Sequence, residues 1–413
     1  MKLKHLTLTL AVTGLSSLAT AQAAPLKIAL VETLSGPQAS TGLLYRTAVK
    51  FELDKINQAG GWNGEAIEIM EYDNQGGPAG ASDKVKAAIA DGADIIIQGS
   101  SSAVSGQITE DIRKHNIRNR GKEVLYLNMG GEALELTADK CHFYHFRFTT
   151  NAPIRVKTLV NAMQEDGVLG SNVYAMNQNY SWGSDMEYAT EQQAAANNYT
   201  VVEKTLHDVN RIQDFAPYAN RIKNSGAETV ITGNWSNDLL LLMKATRDAG
   251  LKIRFGTVFL DQPGNIANAG DLALGHYISH AFNVEANDAT KAFAEAYKAV
   301  TGHYPTYVEP QTVFGIQMLG EALRNTEANA DGKLNTTQLA LNLENVTLQG
   351  PLGEIAIRAD DHQVMLPIVV SQVSRDAEYK VDGTDMGFSV VKLFTGAEAV
   401  NPVEQTCSMK RPS

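Results

Sequence analysis

Three consecutive hydroxyl residues, Ser100-Ser101-Ser102, stand between the apolar run Ile95-Ile96-Ile97 and a helical pattern that begins near Val104. A hydroxyl and the unpaired N–H groups of a helix start can together hold a carboxylate. A serine at that place is also an ordinary helix N-cap. Both readings stand for any single serine, and the cluster as a whole favours anion binding. Tyr180, Trp182 and Trp235 follow strand patterns and have polar neighbours, Ser181, Gly183, Asn234 and Ser236. Rings in such loops can cover the apolar part of a small ligand. Two histidine pairs, His142/His145 and His276/His280, are spaced by three and four, which invites a metal reading. The first lies in strand-like sequence, where a spacing of three puts side chains on opposite faces, and the second would need a helix but reads as strand, so structural roles are favoured. No G-x-G-x-x-G follows the first strand, and no Walker loop, H-E-x-x-H or G-x-S-x-G occurs, so no catalytic residue, metal or cofactor is assigned.

The elements that must position these residues alternate. Strand patterns at 27–32, 67–72, 93–97 and 124–127 interleave with helical spacings at 44–58, 82–90 and 104–115. After Pro153 the series restarts, with helices at 154–166, 184–196, 215–224 and 239–249 between strands at 173–176, 201–205 and 229–232. The fold class is therefore α/β, two doubly wound Rossmann-like lobes with mostly parallel sheets. Ligands of such sheets bind beyond the carboxyl ends of the strands. Those ends put the loops 35–42, 100–102, 128–132, 177–183 and 233–236, and a sixth near Asp261, around one crevice.

Bulk properties narrow the setting. Lys2, Lys4 and His5, the apolar stretch from Leu6 to Leu18 and Ala21-Gln22-Ala23 read as a cleavable secretory signal over residues 1–23. The stretch is shorter than a membrane span needs. Removing that segment leaves 33 Lys and Arg against 46 Asp and Glu and moves the formal charge from -11 to -13. So acidic a chain is repelled by phosphate backbones, which excludes nucleic acid as a partner. The two cysteines, Cys141 and Cys407, pair as a disulfide in an oxidising compartment.

The segments Ser35-Gly36-Pro37, Ile56-Asn57-Gln58-Ala59-Gly60-Gly61-Trp62-Asn63-Gly64, Asp73-Asn74, Glu135-Leu136-Thr137, Asp214-Phe215 and Arg247-Asp248-Ala249-Gly250-Leu251 resemble, in order and spacing, the leucine/isoleucine/valine-binding protein family of type I periplasmic solute-binding proteins. The resemblance implies two lobes joined by a hinge with three crossings, an N-terminal lobe of 24–150 plus 284–352 and a C-terminal lobe of 151–283 plus 353–413. It also implies export to the periplasm, a monomer, and an ABC transporter permease as partner. By position, Ser101 or Ser102 would take a ligand carboxylate, Gly130 and Glu132 the polar head, Trp182 and Trp235 the apolar body, and Asp261 an ammonium. Two departures bear on the ligand. Glu132 stands where the family usually has a small hydroxyl residue, and Thr41 where it has an aromatic one. Either Glu132 points away, or the ligand differs from a standard branched-chain amino acid. The expected ligand is a hydrophobic or branched-chain amino acid or a related carboxylate; the alternatives are an aromatic carboxylate, an amide, urea, or a sensory-receptor role for the same lobes.

Overall fold

The computed structural model describes residues 25–36 and 38–412; the signal segment expected over 1–23 lies outside them. The first unit runs β1 (Lys27–Glu32), α1 (Ala39–Gln58), β2 (Glu68–Asp73), α2 (Pro78–Ala90), β3 (Ile95–Gln98), α3 (Ser102–Arg118), β4 (Leu125–Asn128) and β5 (His145–Arg147). The second runs α4 (Ala152–Glu165), β6 (Asn172–Gln178), α5 (Ser181–Gln193), β7 (Thr200–His207), α6 (Ala216–Ser225), β8 (Thr229–Thr232), α7 (Asn237–Asp248), β9 (Arg254–Thr257), α8 (Asn265–Ala269) and β10 (Tyr277–His280). The chain then returns through α9 (Asp288–Thr301), α10 (Glu309–Arg324), α11 (Thr336–Glu344), β11 (Thr347–Gly350), β12 (Gly353–Arg358) and β13 (Gln363–Met365). It ends with β14 (Ile368–Ser374), β15 (Gly387–Phe394) and α12 (Gly396–Ala399).

Two sheets result, ordered β11-β12-β13-β5-β4-β3-β1-β2 and β15-β14-β10-β9-β8-β6-β7. In each, the first strand pairs in parallel with both the second and the third. The strand order therefore reverses beside β1 and β6, and the loops leaving the sheet there diverge to opposite faces and open a crevice. The inner strands read as unbroken apolar runs because helices cover both faces. All four residues of Ile95–Gln98 are buried, as are all four of Thr229–Thr232. Chemistry at the helix starts sharpens the borders. Proline opens α2, α4 and α6 in the first turn, where its missing N–H costs nothing. Asn151 caps α4 by accepting from the Ile154 N–H.

Three features differ from the sequence reading. The expected lobe border at 352/353 assigned β12 and β13 to the second lobe, but β12 pairs with β11 and β13 with β5 in the first sheet. The change of sheet falls at 366–367 instead, because a short antiparallel excursion fits no βα period. The side chains of the first histidine pair do not diverge, since only 145–147 is strand and His142 sits in the turn before it; the rings lie 5.8 Å apart. Finally, besides crossings at 148–151, 281–287 and 366–367, the tail passes between the sheets once more. Beyond α12 the Asn401 carbonyl accepts from Arg358, Arg411 pairs with Glu344, and Cys407 is bonded to Cys141.

The disulfide spans 266 residues. Closing so large a loop restricts the unfolded chain and stabilises the native one by about 2–5 kcal/mol. Cys407→Ser is expected to lower the unfolding free energy measured in urea by that amount and to steepen the transition, because the released unfolded chain exposes more surface; an unchanged free energy would mean the tail is held by its polar contacts alone.

Candidate functional site

A cavity of about 70 Å³ lies between the two sheets at their carboxyl edges. Its floor is built from the first unit. Glu32, at the end of β1, is fully buried and accepts from the N–H groups of Gly99 and Ser100 at 2.7 and 3.2 Å, which fixes the loop leaving β3. Burial raises the Glu32 pKa against the lowering effect of those bonds. The loop delivers Ser101 as the N-cap residue of α3, at φ +76° and with no side-chain cap bond. Ser102 does not cap either. Its hydroxyl oxygen accepts from the N–H groups of Glu132 and Ala133, both at 3.1 Å, so its own proton remains to be donated into the cavity. The two loops after β3 and β4 are thereby joined at the cavity floor. Gly130 must be glycine, because a Cβ there would overlap the Tyr45 hydroxyl.

The second unit supplies an aromatic wall. Tyr180 precedes α5, and Trp182 falls in the first turn of that helix, one element later than the loop in which it was expected. The Trp182 indole donates to the Gly233 carbonyl at 2.9 Å, and that of Trp235 to the Tyr180 hydroxyl at 3.0 Å. With the polar tips of both tryptophans satisfied, their ring faces are left to the cavity. Phe259 packs against Trp182 with centroids 5.4 Å apart.

Between floor and wall lies a buried ion pair. Glu132 Oε1 accepts from Thr149, from Thr150 and, at 2.8 Å, from Arg155 Nη2. Arg155 sits in the first turn of α4 and also donates to the Ser279 carbonyl. Burial opposes the Arg155 charge, but attraction to Glu132 outweighs it and raises the pKa above the ordinary value. Both residues line the cavity, and Glu132 Oε2 and Arg155 Nε have no partner in the protein. A second tie between the lobes is the Leu134 N–H donating to Asp185 of α5 at 2.7 Å.

Thr41, Ser101, Ser102, Gly130, Glu132, Tyr180, Trp182 and Trp235 all line this cavity. Asp261 does not; its carboxylate turns to His280, 3.3 Å away, and lines an adjacent cavity. The loop after β9 presents the next residue, Gln262, instead. Glu132 faces inward, its charge met by an arginine. Thr41 lies in α1, and the ring missing at its place is supplied one helical turn on by Tyr45, on the same face of the helix. Arg155, Tyr45, Gln262, Phe259 and Tyr307 were not foreseen. Arg155 had a signal, since a lone cation inside the apolar start of a helix, Ile154-Arg155-Val156, must find a partner. The second histidine pair, unlike the first, is divided. His276 precedes β10 and accepts from the Phe255 N–H, whereas His280 meets Ser371. Among the described residues no group of three or more His, Cys, Asp and Glu is placed to hold a metal ion, and no helix is long and apolar enough to cross a membrane.

Residues 25–378 match the model of a family described as periplasmic binding protein. The chain is 62% identical over 400 residues, 97% of its length and 96% of the relative's, to "Leu/Ile/Val-binding protein homolog 4" of Brucella abortus. It superimposes with a TM-score of 0.92 on the closed form of a leucine-, isoleucine-, valine-, threonine- and alanine-binding protein from Brucella ovis, at 63% identity and covering 94% and 100% of the two chains. A solute-binding protein from Rhodopseudomonas palustris in complex with 3,4-dihydroxybenzoic acid shares the fold, with a TM-score of 0.74 at 20% identity over 90% and 98% of the chains.

Two outcomes follow from the contacts between lobes. Arg155→Met leaves a buried carboxylate unpaired and should weaken closure by about 3–5 kcal/mol, whereas Glu132→Gln/Arg155→Met, with no lone charge, should recover most of it. Small-angle scattering of the unliganded protein reads this as expansion in the single variant and compaction in the double. Burial pushes Asp185 up to about 6 from an ordinary 3.8. A carboxyl whose pKa is higher in the closed form takes up a proton on closing, so closure strengthens as pH falls from 7 to 5. Asp185→Asn should flatten that dependence in the same measurement.

Proposed function

The chain belongs to the periplasmic binding protein family, and from that premise we propose that it is the solute-binding component of an ABC transporter, exported to the periplasm as a monomer. Its two lobes close on a small amino acid with an apolar side chain, and the closed form docks on a permease. The observation that carries the ligand assignment is the polarity of the cleft. Ser102 has a hydroxyl proton to donate, and α3 opens without a capping side chain, which suits a carboxylate on the first lobe. Glu132 Oε2, buried and unpartnered, suits an ammonium. Tyr180, Trp182 and Trp235 suit the aliphatic part. Arg155 keeps the cleft close to neutral, so a zwitterion enters without net repulsion. The names carried by the relatives from Brucella abortus and Brucella ovis support the same class.

A second reading rests on the abundance of rings. Tyr45, Phe259 and Tyr307 join the three residues of the wall, and six rings would also suit a planar aromatic carboxylate. Such a ligand leaves Glu132 Oε2 unpaired, which favours the amino acid. Calorimetric titration separates the two. Leucine, isoleucine or valine should bind at least about tenfold more tightly than 4-methylpentanoate, which lacks the ammonium, and Ser102→Ala should cost about tenfold more. Benzoate binding more tightly than leucine would establish the aromatic reading instead.

A further inference from the structure

A second cavity of about 70 Å³ adjoins the cleft, with Tyr307 forming part of the wall of both. Tyr307 has φ +44°, a left-handed conformation that a bulky side chain adopts only where its surroundings impose it. The cavity walls come from the loop after β9, the 281–287 crossing, the segment leading into α10, and residues 379–382. Its charged lining is three carboxylates, Asp261, Glu285 and Asp382, against one ammonium, Lys380. All but Asp261 are engaged by backbone. Glu285 accepts from the N–H groups of residues 378 and 379, Asp382 from those of residues 264 and 266, and Lys380 donates to the carbonyls of residues 375 and 377.

Asp261 is 8% exposed, and its Oδ1 has no hydrogen-bond partner in the protein. Its Oδ2 faces His280 Nδ1, while His280 Nε2 lies 2.8 Å from the Ser371 hydroxyl, which accepts from Asn283. His280 therefore engages Oδ2 alone, and Oδ1 is left facing the cavity. A buried carboxylate oxygen without a partner is a place for a hydrogen-bond donor, and a cationic donor adds attraction to its charge. Phe282, Tyr304, Tyr379 and Phe388 line the same space, and ring faces attract cations as well as covering a stem. The cavity has room for about two waters or a stem of about three carbons.

We propose that this chamber is a separate binding site for a short organic cation, a primary alkylammonium whose nitrogen donates to Asp261 Oδ1 and whose stem lies against the rings. It does not depend on what the main cleft binds. The test uses the full native protein with propylamine as probe and propanol as its neutral counterpart, titrated calorimetrically at neutral pH. Propylamine should bind one to one, about tenfold or more tighter than propanol; Asp261→Asn should cost about tenfold, and Glu132→Gln, which removes the carboxylate of the main cleft, should leave the binding unchanged. A soaked crystal should place the amine nitrogen within hydrogen-bond distance of Asp261 Oδ1, a readout that stands even if Asp261→Asn folds poorly. Absence of binding at about 10 mM, equal binding of propanol, or loss in Glu132→Gln would overturn the assignment; in the last case the amine occupies the main cleft.

Discussion

Glu132 and Arg155 are a carboxylate and a guanidinium placed in almost complete burial, one on each lobe. Taking either out of water alone costs several kcal/mol, so the geometry around the cleft is the geometry that keeps them together. Thr149 and Thr150 lie on the strand of chain that crosses to the second lobe and bond the same Glu132 oxygen. The Ser279 carbonyl at the end of β10 holds the other side of Arg155. The pair therefore draws two crossings and two sheet edges to one point. It also makes closure conditional, because open lobes give each charge to water and closed lobes give each to the other.

Around that point the lobes divide the work by chemistry. The first presents hydroxyl and N–H donors, held by Glu32 and by the bonds from Ser102 to the loop after β4. The second presents rings whose polar atoms are already bonded. The division follows from local sequence. Small residues after β3 and β4 let backbone approach backbone, and tryptophans at the start of α5 and after β8 fill the width between the sheets. The matching order of the five parallel strands, β5-β4-β3-β1-β2 and β10-β9-β8-β6-β7, places the two sets of loops opposite each other.

Much of this was legible from periodicity. β1 and β8 fall on the residues that the apolar runs marked, and every helix expected through α7 exists, with ends shifted by a few residues. Helix starts were read late at α1 and α2 because Ala, Gly, Ser and Thr in the first turns carry no apolar signal. The loops at the carboxyl edge could be read because an α/β sheet leaves its strand ends little choice. What sequence could not supply was partnership across long separations. Arg155 with Glu132, Tyr45 beneath Gly130, and β13 beside β5 depend on contacts that no local pattern encodes. Asp261 and Gln262 show the limit most closely, since one residue of offset in a turn decides which of two adjacent carbonyl-bearing side chains enters which cavity.

The bond between Cys141 and Cys407 closes a covalent ring that contains the whole second lobe and the last strands of the first. Inside that ring the backbone can be cut once, in any exposed loop, without the pieces separating. A protease that nicks the second lobe thus leaves a particle heavier only by the water consumed in the cut, with two new chain ends and every element still tethered. Only a reductant turns such a cut into fragments.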